Sequence, residues 1–427
     1  MPFLYQMMLK IKLTFLCCLL STVLFAQKID TYLKNNSIDI TNGIKSGAVL
    51  DQDFFHHQIF LLGESHGVQK PQEIDFNFLK LLNSKAGVHT YVAEIDFAKA
   101  YFLNQYLVSG NQKMIDTVFA DWVKQDAQWA NKDFQDKIRK IRSLNLTLPI
   151  KDRITFAGID KIQSTVLVAD YFDALLKTKT FSHYKAQFNP LSGLLRANAA
   201  DSLVVAAAKK LLVDMQTGKF GSLGLADKFV LEYALKNCSQ VNAKRRETVL
   251  YENFKDCYQK LRWKNQKLYG FWGFFHVLQA KTNEGKGTSF VTMLLNDFDL
   301  NLKGKIASIG FMFVDSKMIF PNAFIPEQWQ DKGKQYTAID KFNYDGPITT
   351  FNFIEDFKSV GKPDATTLIR LDRIGSVFTK QPIIVKYNEL MPVEQRMTFD
   401  EPGKNAADYF QYVILVRNSP AVTPIIP

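Results

Sequence analysis

The segment QIFLLGESHGVQKPQEIDF, residues 58–76, carries an apolar run into Gly63-Glu64-Ser65-His66-Gly67. Two chemistries suit these five residues. Read as G-x-S-x-G, they form a nucleophile elbow with Ser65 as the attacking group. Read as a carboxylate and an imidazole on a sharp strand-to-helix turn, they offer Glu64 and His66 as base, acid or metal ligand. Imidazole is the side chain best matched to proton transfer near neutral pH. Topology favours the second reading. An elbow sits in mid-sheet, after several strands and an oxyanion loop, whereas residues 27–62 leave room for one or two strands and contain no Gly-rich loop. The chain order Ser65, Asp160, His276 is the hydrolase order, so the elbow stays as the minority reading.

More polar groups fall at equivalent places. Six apolar stretches read as strands: 58–63, 89–95, 154–159, 267–275, 305–314 and 411–417. Several are apolar throughout, as strands buried on both faces are. The first four end in an acid or a histidine: Glu64 and His66, then Glu94 and Asp96, then Asp160, then His276. Ligands of open α/β sheets bind at the carboxyl ends of strands, so these endings predict one shared site. Each also has a plainer reading. Asp96 and Asp160 suit helix N-caps, Glu64 suits the positive end of the next helix, and His276 suits an aromatic core. His56, His57, His89 and His183 have no charged company at a strand end and receive no role.

Helical patterns separate the strands, which predicts an α/β protein. Pro71 suits a first helical turn, Ile74, Phe78, Leu81 and Leu82 follow at helical spacing, and Gly87 suits the stop. Residues 97–108 and 131–143 continue the alternation. Residues 164–263 are nearly all helical in pattern and read as an insertion between two sheet strands that covers the site, a separate helical domain being the alternative. Residues 315–405 are mixed and resist ordering.

The N-terminus reads as an address. Lys10 and Lys12 precede the run LTFLCCLLSTVLFA, which ends in Ala26. That order of basic, apolar and small residues is a secretory signal peptide, too short for a membrane span. The expected domains are a signal peptide, 1–26, and one α/β domain, 27–427. The mature protein is expected to be secreted or periplasmic, without stable membrane insertion. Losing Lys10 and Lys12 lowers the formal charge from +11 to +9. The short basic cluster Lys244-Arg245-Arg246 lacks interleaved aromatics, so no nucleic-acid partner is expected. Cys238 and Cys257 lie on two helical stretches joined by a short turn, with an offset of about 15 Å, beyond disulfide reach.

Taken together the motifs resemble the erythromycin esterase-like family, part of a larger group with iron-regulated haem-binding lipoproteins and Tiki-type metalloproteases. The resemblance rests on LLGESHG, on Glu94 after the second strand, on FAGID with Asp160, on RRETVLYENF with Arg246 and Asn253, and on GFFHV with His276. Two positions depart from it. The first turn is one residue shorter than in the antibiotic-inactivating members, and Gly273 stands where the first histidine of the late pair belongs. The resemblance implies a central, largely parallel sheet flanked by helices. It also implies hydrolysis of an ester or lactone by water, without metal or cofactor. The expected catalytic residues are His66, Glu64, Glu94, His276 and Arg246. Asp160 and Asn253 are expected to bind a small-molecule substrate. The alternatives are a metal-dependent hydrolase or peptidase using the same His and Glu residues, and a haem- or iron-binding protein.

Overall fold

The computed structural model describes residues 28–426 apart from Ser222, so the signal-peptide expectation lies outside the described residues. The central sheet has eight strands: β1 (Ser37–Asp39), β2 (Ile59–Glu64), β3 (Thr90–Ala93), β4 (Thr155–Gly158), β5 (Leu268–Gly273), β6 (Ile306–Val314), β7 (Thr367–Arg370) and β8 (Tyr412–Arg417). Their order is β1-β7-β8-β6-β2-β5-β3-β4. From β8 to β4 every pairing is parallel, while β7 and β1 close one edge antiparallel. This is the α/β class read from the sequence, with its six strands in place. β1 and β7 were not read: β1 has three residues, and β7 lies in the mixed stretch 315–405 that the sequence does not order.

The all-apolar strands are apolar because both sheet faces are covered. Phe60 and Leu62 of β2 point into one core, with Tyr91, Phe156 and Ile309. Ile59 and Leu61 point into the other, packed on Leu250, Phe254 and Trp272. The helix Lys70–Ala86 has Pro71 in its first turn and stops at Gly87, whose φ of 69° is a left-handed cap that glycine adopts without penalty. A helix the sequence reading passed over, Gln112–Lys124, starts at Asn111, whose side chain accepts a bond from the Lys113 N–H. Between β4 and β5 the described residues form helices and turns only, ending in the helices Leu225–Ser239 and Arg246–Lys260. Cys238 and Cys257 are buried free thiols on these two helices. No helix among the described residues is long and apolar enough to cross a membrane.

The strand order shapes the site. β5, which follows β2, β3 and β4 in the chain, lies between β2 and β3, so β3 is not the neighbour of β2. The β3–β5 ladder covers only two pairs, Thr90 with Leu268 and Tyr91 with Tyr269. Beyond Tyr91 the two strands share no further pairs. Two glycines let backbone enter. A Cβ on Gly273 would stand 3.3 Å from both the His66 and His276 rings. A Cβ on Gly158 would strike Asp96 O, 2.5 Å from Asp96 C and 2.8 Å from Ile95 O.

Backbone cannot step aside as a flexible side chain can. Gly158→Ala is therefore expected to cost about 3 kcal/mol, the upper end of the usual overpacking range. Gly193→Ala is the control. It lies inside the helix Lys185–Arg196 with nothing within 4 Å of its Cβ position, and should gain up to about 1 kcal/mol. Urea denaturation midpoints measure both.

Candidate active site

His66 lies on the turn after β2. Its Nδ1 is 3.0 Å from Glu64 Oε1, and among the described residues its Nε2 has no hydrogen-bond partner. The side chain is 23% exposed and the Glu64 carboxylate is buried, so one nitrogen is held from inside and the other is open to solvent. The Trp129 ring packs against the imidazole, with centroids 4.6 Å apart. Burial pushes the Glu64 carboxyl above its usual range, against the pull of His66. Burial opposes the charge on His66, yet the bond to Glu64 and the field of Glu94 carry its pKa above the ordinary histidine value. Glu64 Oε2 is buried with no partner among the described residues.

Across Gly273 stands a second, denser group. Glu94 Oε2 accepts the Gly273 N–H at 2.6 Å, and Oε1 accepts from Arg246 Nη2 at 2.7 Å. Arg246 also forks onto Asp160, Nε to Oδ1 at 2.8 Å and Nη2 to Oδ2 at 2.5 Å. Planar guanidinium and carboxylate match in this bidentate geometry. Arg246 Nη1 is its one nitrogen without a carboxylate partner, and it lies 3.2 Å from His276 Nε2. His276 sits between two acids, Glu94 Oε1 at 3.4 Å from Nε2 and Glu247 Oε1 at 2.8 Å from Nδ1. Burial works against the imidazolium, but Glu94 and Glu247 outweigh it and raise its pKa to about 10. Burial alone would raise Glu94; His276, His66 and Arg246 instead hold it well below the carboxylate range. At neutral pH the group is therefore two cations caged by acids, beside an imidazole with one free nitrogen.

Of the residues read from the strand ends, Glu64, His66, Glu94, Asp160 and His276 come together around Gly273, whereas Asp96 caps the helix Phe97–Ser109, accepting from the Ala98 and Lys99 N–H groups; four further points differ in detail. Either strand-end carboxylate, Glu64 or Glu94, could hold His66. Glu64 takes that place, because β5 separates β3 from β2 and Glu94 is spent on Arg246, His276 and Gly273. Asp160 was expected to bind substrate, but both its oxygens are engaged by Arg246. Asn253 is buried and fully used inside the fold, donating to Ile159 O and exchanging amide bonds with Asn237, which removes it from the substrate-facing set. Ser65 Oγ pairs with the Tyr344 hydroxyl at 3.1 Å rather than with a histidine. Two members were not foreseen. Glu247 follows Arg246 directly and reads as an ordinary first-turn helix acid. Trp129 lies in a loop with no periodicity to expose it. Among the described residues no three His, Cys, Asp or Glu side chains converge in a metal-holding arrangement.

The raised pKa of His276 has a consequence for stability. A group whose pKa is higher folded than unfolded stabilises fully below its unfolded value, about 6.5 for histidine, and loses that contribution as pH rises through the folded value. Stability of the wild type should fall toward pH 10, and His276→Gln should flatten that limb. Denaturation midpoints across the range, for both proteins, measure the difference.

No family model and no curated protein matches the chain. Solved structures do. A Bacillus cereus protein aligns with a TM-score of 0.63 at 16% identity, over 93% of this chain and 98% of its own. A succinoglycan biosynthesis protein aligns at 0.61 and 13% identity, over 93% and 97%. A mutant of the erythromycin esterase EreC, in its open conformation, aligns at 0.57 and 11% identity, over 89% and 95%. Likeness at these identities is likeness of fold, and it agrees with the resemblance carried by the motifs: the chain has the fold of the erythromycin esterase-like group.

Proposed function

We propose that the protein is an exported hydrolase that cleaves a carboxylic ester or lactone with water, His66 acting as general base. One observation carries this reading: Glu64 holds His66 Nδ1 from the buried side, leaving Nε2 unbonded beside Gly273, with Arg246 and His276 on the far side of that glycine. Nε2 takes a proton from water, and the hydroxide adds to the substrate carbonyl carbon. Negative charge then builds on the carbonyl oxygen. Arg246 Nη1, the guanidinium nitrogen with no carboxylate partner among the described residues, is the donor suited to that charge, its group fixed before the reaction by Asp160 and Glu94. The tetrahedral intermediate breaks its bond to the alcohol oxygen, and the imidazolium of His66 returns its proton to that oxygen. The products are an acid, which ionises in water, and an alcohol. The fold shared with an erythromycin esterase supports the reaction class. The basic, apolar, small-residue order of residues 1–26 supports export.

The test is a screen of esters and lactones on the mature protein, followed by kcat/KM for variants confirmed folded by circular dichroism. His66→Ala should fall about 10²- to 10⁴-fold, the usual worth of a general base. Ser65→Ala should stay near wild type, since its hydroxyl contacts Tyr344 only. Arg246→Ala should be impaired, because two acids would be left unpaired around His276. Because His66 works as the neutral base and its pKa is raised, the rate should climb with pH through an apparent pKa above about 6.5. A dead Ser65→Ala enzyme, or phosphonate labelling at Ser65, would restore the elbow reading.

A further inference from the structure

Residues 419–425, beyond β8, run back over the molecule and touch the two segments that carry the open side of the site. On the His66 turn, Gly67 O accepts the Val422 N–H at 3.0 Å, and also the Ile319 N–H at 3.1 Å. Gln69 N–H donates to Pro420 O at 3.0 Å, and Lys70 N–H to Ser419 Oγ at 3.0 Å. On the Trp129 loop, Ile425 N–H donates to Ala130 O at 2.8 Å, and Lys132 N–H to Thr423 O at 2.8 Å. Asp133 joins all three pieces, accepting from Gln69 Nε2 and from Thr423 N–H, each at 2.7 Å.

These contacts have a common physical origin. The first N–H groups of a helix have no partner within it. Lys70 and Lys132 are the first residues of their helices, Lys70–Ala86 and Lys132–Thr147. The tail supplies acceptors to both, and so registers one helix start against the other. His66 and Trp129, which pack on each other, stand four and three residues before those two starts. Gly67 sits at φ +95°, and a Cβ there would come within 2.7 Å of Ile319 O. The turn therefore rests on fixed backbone and has little room to shift while the tail is bound.

We propose that residues 419–425 are a positioning strap, which holds His66 and Trp129 against each other by capping the two helices that follow them. The catalytic consequence rests on His66 as general base; the geometric one does not. Two full-length variants test it. Asp133→Ala removes the acceptor of the Gln69 amide and of the Thr423 N–H while leaving the sequence of 419–425 unchanged. Val422→Pro removes the donor to Gly67 O. The readouts are amide hydrogen exchange at residues 65–70 and 129–133, the NMR titration of His66, and kcat against KM. Exchange in those two segments should speed up about tenfold or more while β6 and β8 keep their protection. The His66 titration should move back toward the ordinary histidine value. On any substrate found, kcat should fall about 10- to 100-fold, the scale of a 1 Å misplacement, with KM nearly unchanged. The proposal fails if β6 and β8 lose protection equally, which would make the tail part of the general core. It fails too if Asp133→Ala leaves both segments and the His66 titration as in wild type. Should no substrate be found, the exchange and titration results still decide it.

Discussion

The Glu94 carboxylate is the contact on which the site's construction depends. It is buried, and an uncompensated charge in that position would cost far more than a typical fold can spare. Three groups compensate it, each from a different part of the chain: the Gly273 N–H at the end of β5, Arg246 from the helical stretch between β4 and β5, and the His276 ring from the turn after β5. One acid therefore draws a strand end, a helix start and a turn to a point. Asp160 and Glu247 complete the cage by holding the outer sides of Arg246 and His276.

This arrangement divides the site into two halves with different duties. On one side, charges are paired and fixed, and the pKa of His276 is high enough to keep it cationic at neutral pH. On the other, Glu64 engages one nitrogen of His66 and leaves the second free. Gly273 forms the floor between them. A histidine at that position, as in the resembling family's late motif, would put a third ring where the other two already stand.

Parts of this were plain in the sequence because they depend on neighbours along the chain. β2, β5, β6 and β8 announced themselves as unbroken apolar runs, and the helix after His66 was bracketed by Pro71 and Gly87. The site residues stood out because strands end in polar groups only where something must meet them. Glu247 and Trp129 were silent. A glutamate in a first helical turn has an ordinary electrostatic reason to be there, and one tryptophan in a loop has no period to betray its purpose. β1 escaped for want of length, and β7 because its surroundings show no period.

The sequence by itself determined the class of fold, the polar strand ends and the candidate histidine, since burial of both sheet faces and the stereochemistry of Pro and Gly act locally. Only the tertiary structure decided who partners whom. The insertion of β5 between β2 and β3 assigns Glu64, not Glu94, to His66. The return of the helical stretch turns Arg246 inward, and the fold engages Asn253 in a buried amide pair rather than at the site. Those outcomes depend on contacts between residues far apart in the chain, and a periodicity within one segment carries no information about which distant segment will cover it.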